Sequence, residues 1–153
     1  MKNTSIDGAT ARIRSARAKS LLHEGGYTLV CCSETETVTA QKRGVAPLMD
    51  LLNDQKTLHD FCAADKVVGK AAAFLYVLLG VECLYADVIS EPACEVLSRF
   101  GIAFEAEKTV SAIRNRAGDG FCPMETAVRD VDSPDEALVK IKETLQKLRQ
   151  ESV

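Results

Sequence analysis

The chain has 153 residues, of which 46% are hydrophobic and 27% charged, with a formal net charge of −3. That is enough apolar material for one domain with a real core, and the negative balance speaks against a protein built to bind nucleic acid or an anionic membrane. No apolar run reaches the ~18 residues of a membrane span, and the start MKNTSIDGATARIRSARAK has no apolar signal core, so the expected setting is the cytoplasm.

Asp7 to Glu24 reads as a helix. Ala9, Ile13, Ala16, Leu21 and Leu22 give an imperfect apolar face, and Gly25-Gly26 stops it. Arg12, Arg14, Arg17 and Lys19 decorate the remainder and read as a solvated face. Tyr27 to Cys32 and Thr37 to Gln41 are β-formers around the polar turn SETE, which predicts a hairpin. KRGVAPLMDLLND opens with a basic pair and Gly44 and continues as a short helix with Pro47 in its first turn. LHDFCAAD is a predicted strand. The helix that follows begins near Gly69 and is apolar nearly all round, so it should be buried.

ECLYADVI is the next strand. SEPACEVLSRFG is a helix with Ser90 or Glu91 at its cap, Pro92 in its first turn and Gly101 at its end. IAFEAEKTV is the last strand. SAIRNRAGDGFCPMETAVRDV mixes a glycine-punctuated loop with a short helix started by Pro123. Finally, SPDEALVKIKETLQKLRQ is a helix capped by Ser133, with Glu136 placed for a capping box. Its stripe of Leu138, Ile141, Leu145 and Leu148 is expected to pack on its own domain, the other reading being a docking surface in a homo-oligomer. The pattern is α/β and three-layered, with a largely parallel second half. No repeat or linker divides it, so residues 1–153 read as a single domain, with the core at about 20–132 and the C-terminal helix at 133–150.

Six cysteines are present. Cys31, Cys62 and Cys83 lie in strand-like apolar runs and read as small buried hydrophobes. The two histidines, His23 and His59, sit in polar surroundings, and there is no Cys-x-x-Cys pair, so the expectation is no metal and no cofactor.

Ligands of such sheets bind beyond the carboxyl ends of strands, where the next helices begin. Three helix starts qualify. Lys42-Arg43-Gly44 and Asp65-Lys66 with Gly69-Lys70 combine cations, a glycine that lets backbone approach, and the free N–H groups of a first turn, which suits an anion. Lys70 is otherwise badly placed, because the amino end of a helix repels a cation by about 0.3–1 kcal/mol. Ser90-Glu91-Pro92 is the third start. A fourth candidate is RNRAGDGFCPMET, with Asn115 and Arg116 beside the glycines and Cys122 as a cap residue. A thiol at a helix start can have a lowered pKa and act as a nucleophile. Glu125, three residues on, reads more readily as the partner that closes a capping box. Asp65, Glu91 and Glu125 are either general bases or helix-start carboxylates.

The segments ADKVVGKAAAFL, VISEPACEVLSRFGI and NRAGDGFCPMETAV, with YTLVCCSE and KRGVAPLMDLL before them, resemble a bacterial family of uncharacterised proteins, the domain-of-unknown-function 1893 family, over about Ser20 to Asp132. The resemblance implies a fold similar to cytidine deaminases, a mixed five-stranded sheet between helices that starts with an antiparallel hairpin. Active deaminases place a His-Ala-Glu or Cys-Ala-Glu triplet at one helix start and Pro-Cys-x-x-Cys at the next, holding zinc. The matching places here, Gly69-Lys70-Ala71 and Glu91-Pro92-Ala93-Cys94, lack those ligands, which removes the zinc mechanism. The leading expectation is therefore a zinc-free domain that binds an anionic or phosphorylated small molecule, nucleotide-like by analogy, through Lys66, Lys70 and first-turn amides, with Arg43 and Arg116 assisting. The alternative is a hydrolase or transferase in the same pocket, with Cys122 as nucleophile or Glu91 or Glu125 as base.

Overall fold

The computed structural model describes residues 6, 8–115, 118 and 120–151. Among them the elements run α1 (Ala9–Gly25), β1 (Leu29–Cys32), β2 (Thr37–Ala40), α2 (Ala46–Asn53), β3 (Cys62–Val68), α3 (Lys70–Leu79), β4 (Cys83–Ser90), α4 (Glu91–Arg99), β5 (Ala103–Val110), α5 (Pro123–Ala127) and α6 (Pro134–Glu151). The strands form one mixed sheet in the order β2-β1-β3-β4-β5. The expected hairpin supplies β1 and β2, and β1 also pairs antiparallel with β3. From β3 onward the pairing is parallel, each return being made by a helix.

The sheet has unequal covers. On one face α1 lies alone, with Ala18 and Leu22 against Val30, Cys32, Ala64 and Tyr85. On the other face α2 to α6 enclose the main core with Cys31, Ala63, Leu84, Ala86 and Phe104 of the strands. Strand alternation explains the division, because neighbouring residues such as Ala63 and Ala64 point to opposite faces. The α3 helix is the centre of the thicker layer, and Phe74, Leu75 and Tyr76 are fully buried. On α6, Ala137 and Ile141 are buried and Leu138 and Leu145 are partly covered by the same core, so most of the stripe packs on its own domain, while Leu148 is 36% exposed.

Three expectations need correction. The buried stripe of α1 is Ala11, Arg14, Ser15, Ala18 and Leu22; of the predicted face Leu22 belongs to it and Leu21 packs at its edge, while Ile13 is 68% exposed. Small residues at those positions let the helix lie close to the sheet. Arg14 is consequently not solvated: its guanidinium pairs with Glu82 at 2.8 Å and donates to the Asp60 carbonyl. Cys62 and Cys83 are buried as expected, but they are joined by a disulfide between directly opposed residues of β3 and β4. Finally, β3 starts at Cys62 and runs three residues further than predicted, through Val68, so Lys66 belongs to the strand that Asp65 was expected to end, and the helix begins only at Lys70.

No helix among the described residues is long and apolar enough to cross a membrane.

Candidate functional site

Between the carboxyl end of β3 and the amino end of β1 lies a cavity of about 360 Å³. The order of strands reverses direction here, which is where open α/β sheets leave a crevice. Its walls are mostly apolar: Leu29 from β1, Val45, Pro47 and Leu48 at the start of α2, Ala72 on α3, Ile113, and Met124 on α5. Into this setting the fold brings Arg43, Gly44, Asp65, Lys66, Gly69, Cys122 and Glu125, seven of the residues singled out from the sequence.

Glu125 explains the oddity at the start of α3. Its Oε1 accepts from the Lys70 amide at 2.6 Å and its Oε2 from the Ala71 amide at 3.1 Å. The anion at this helix end is thus a carboxylate of the chain itself, and the two amides expected to hold a ligand are occupied. Glu125 does not close a capping box on its own helix. Cys122 is the N-cap residue of α5, but its side chain makes no cap hydrogen bond. Gly69 has an ordinary extended backbone, so conformational freedom is not its purpose. A Cβ there would lie 2.5 Å from the Glu125 carboxyl, and glycine is what lets that carboxylate reach the helix. Burial pushes the Glu125 pKa up, against the pull of the two amides and the Lys70 charge. The Lys70 ammonium turns away and donates to the Arg129 carbonyl at 2.8 Å, bordering a neighbouring cavity with Pro92, Phe121 and Arg129.

Asp65 is the second carboxylate of the site. Its Oδ2 accepts from the Tyr76 hydroxyl at 2.6 Å and its Oδ1 from the Val67 amide at 3.2 Å. Burial raises its pKa to about 7, although both hydrogen bonds favour the charged form. The same surroundings act on Cys31, where burial first and then Asp65 push the thiol pKa up. Tyr76 went unnoticed in the sequence. The signal was present, since it is the one polar side chain between Ala71 and Leu79.

Arg43 lines the cavity beside Gly44, whose φ of 64° makes the turn into α2. Among the described residues its guanidinium has no ion-pair partner. Lys66 lines the same wall, while its charge also acts on Asp87 of β4.

The remaining candidates are elsewhere. Ser90 is fully buried and caps α4 by accepting from the Ala93 amide at 3.2 Å. Glu91 is in the first turn of α4 and not on the cavity wall. Asn115 is held in a small turn by backbone bonds with Gly118 and Gly120. Arg116 lies outside the described residues. Neither histidine serves Cys122 as a base: His23 binds Asp87 on the α1 face, and His59 packs on Gly80 at the far end of α3.

The family described as Domain of unknown function (DUF1893) matches residues 17–145. This chain belongs to the DUF1893 family. The crystal structure of a DUF1893 family protein from Thermotoga maritima is similar, with a TM-score of 0.79, 24% sequence identity and coverage of 96% of this chain and 95% of that one. At that identity the likeness speaks for the fold alone. No curated protein matches the chain. In this DUF1893 protein the helix starts of α3 and α4 do not fit a zinc ion. Gly69, Lys70 and Ala71 offer no metal ligand, and Cys94 is buried with its pKa raised by burial. Among the described residues no group of three or more His, Cys, Asp or Glu is gathered for a metal.

Proposed function

We propose that this chain binds a small anionic molecule in the cavity at the carboxyl end of β3, with the Arg43 guanidinium as the anion's partner. The observation that carries this reading is a cation without a carboxylate partner at the wall of a mostly apolar cavity of ligand size. The resemblance to deaminase-type folds adds an analogy: relatives of that fold take nucleotide-like substrates at the same end of the sheet. A phosphorylated, nucleotide-like ligand is therefore the first class to try. Arg43 replaces Lys70 as the principal contact, because Lys70 is engaged elsewhere and Glu125 occupies the α3 amides.

The test is thermal stability against inorganic phosphate, nucleoside monophosphates and sugar phosphates, for the wild type, Arg43→Ala and Lys70→Ala. A ligand at a hundred times its dissociation constant adds about 2.7 kcal/mol, several degrees for a domain of this size. A shift in the wild type that persists in Lys70→Ala and is lost in Arg43→Ala is the expected result. No shift with any compound, or one indifferent to Arg43, overturns the reading.

A zinc-free hydrolase or transferase is the second reading. Cys122, Asp65 and Glu125 share the cavity wall, and both carboxyls have pKa values raised by burial, as general acids and bases require. Glu91 drops out by position. Selective alkylation of Cys122 at neutral pH, slowed by a bound ligand, is its expected sign; a rate equal to that of an ordinary free thiol removes the nucleophile version.

A further inference from the structure

The cavity wall carries a second polar group besides Arg43. Asp65 projects from β3 toward the layer of α3, where Tyr76 and the Val67 amide each donate one hydrogen bond to it. An ionised carboxylate offers about four acceptor positions. Tyr76 and the neighbouring backbone amides do not fill them all, and among the described residues no lysine, arginine or histidine pairs with Asp65. A carboxylate placed against apolar walls without a cation is expensive. Glu125 differs, because the positive charge of Lys70 acts on it.

We propose that Asp65 receives a protonated amine of the ligand, so that the cavity selects zwitterionic molecules with an apolar middle. The anion lies at Arg43 and the amine at the sheet wall. This rests on the reading of Arg43 given above. The raised pKa of Asp65 agrees with it: a site shaped for a cation holds its carboxylate uncomfortably when the cation is absent.

Isothermal titration at neutral pH with hexanoate, hexylamine and the amino acids 4-aminobutanoate, 6-aminohexanoate and 8-aminooctanoate tests this on the intact chain. At least one amino acid should bind about tenfold or more tighter than hexanoate, the size of a charge-assisted hydrogen bond. Asp65→Asn should erase that preference. If no amino acid exceeds hexanoate in the wild type, the amine site is overturned, while hexanoate held through Arg43 leaves the anion reading standing. If hexylamine binds through Asp65 and hexanoate does not bind, the amine end is supported and the anion reading falls. No binding by any probe overturns both. The wild-type comparison does not depend on how well a variant folds.

Discussion

The ends of β3 and β4 solve the same problem in different ways. Each strand runs parallel to its neighbour and leads directly into a helix whose first amides need acceptors. At β4 the answer is local: Ser90 is the last residue of the strand and caps α4 itself. At β3 it is remote, and Glu125 reaches back from α5, 55 residues along the chain. Each end also has an aspartate that accepts a tyrosine hydroxyl at 2.6 Å, Asp65 from Tyr76 and Asp87 from Tyr85. Burial dominates at Asp65 and raises its pKa. At Asp87 burial pulls the same way but is outweighed by the hydrogen bonds from Tyr85 and His23 and by the charges of His23 and Lys66, so its pKa is lowered. The local solution is made within three residues of the strand end. The remote one leaves room between the strand, the helix start and the reaching side chain, and that room is the cavity.

The comparison can be tested at its strongest point first. Glu125→Ala leaves two helix amides without their acceptor and should cost about 3 kcal/mol in urea unfolding. Gly69→Ala should cost a similar amount by displacing the same carboxylate, and the double variant should be no worse than either single one. Additive losses would show that the two residues are not one device. Asp65→Asn comes next. With an unfolded pKa near 3.9 and a folded value of about 7, the native state holds the extra proton, so wild-type stability should fall as pH rises from about 4 to 7. The groups that bear on this titration are Tyr76 on α3, Cys31 on β1 and Asp87 on β4. The variant should be flatter across that interval, and at pH 8 more stable by on the order of 2 kcal/mol, a discount on the full shift for the opening to cavity water.

Asp87→Asn should do the opposite. A lowered folded pKa stabilises above the unfolded value, so the variant loses stability at neutral pH and the loss shrinks on acidification below about pH 4. Ser90→Ala should cost about 1 kcal/mol, the ordinary price of a helix cap. Equal losses at Ser90 and Glu125 would erase the distinction between the two strand ends.

The sequence made the local solution readable and the remote one not. Ser90 followed by Pro92 marks a helix start without reference to anything else. Gly69-Lys70 marked a helix start too, and it signalled that an anion belongs there. It could not say that the anion was Glu125, because nothing within reach of a local pattern connects positions so far apart. The strands and the hairpin were legible because alternation and turn residues are local. The register that sets Cys62 opposite Cys83 is a property of two strands together, and so the disulfide was not. On α1, Ile13 weighed more than Ala11, Ser15 and Ala18 because apolarity counts side chains, whereas close packing rewards small ones. Asp65 was readable as the end of a strand, but its bond to Tyr76 was not, since Tyr76 comes from the next helix.

The disulfide has a mechanical meaning as well. It fastens β3 to β4 at their amino ends, about 20 Å along the strand from Val68 and the cavity. Two ribbons riveted at one end open from the other. A load that separates these strands must first break the ladder beside Val67 and Val88, and it meets the covalent tie last. The carboxyl ends of the two strands, beside the cavity, are held by ladder hydrogen bonds alone.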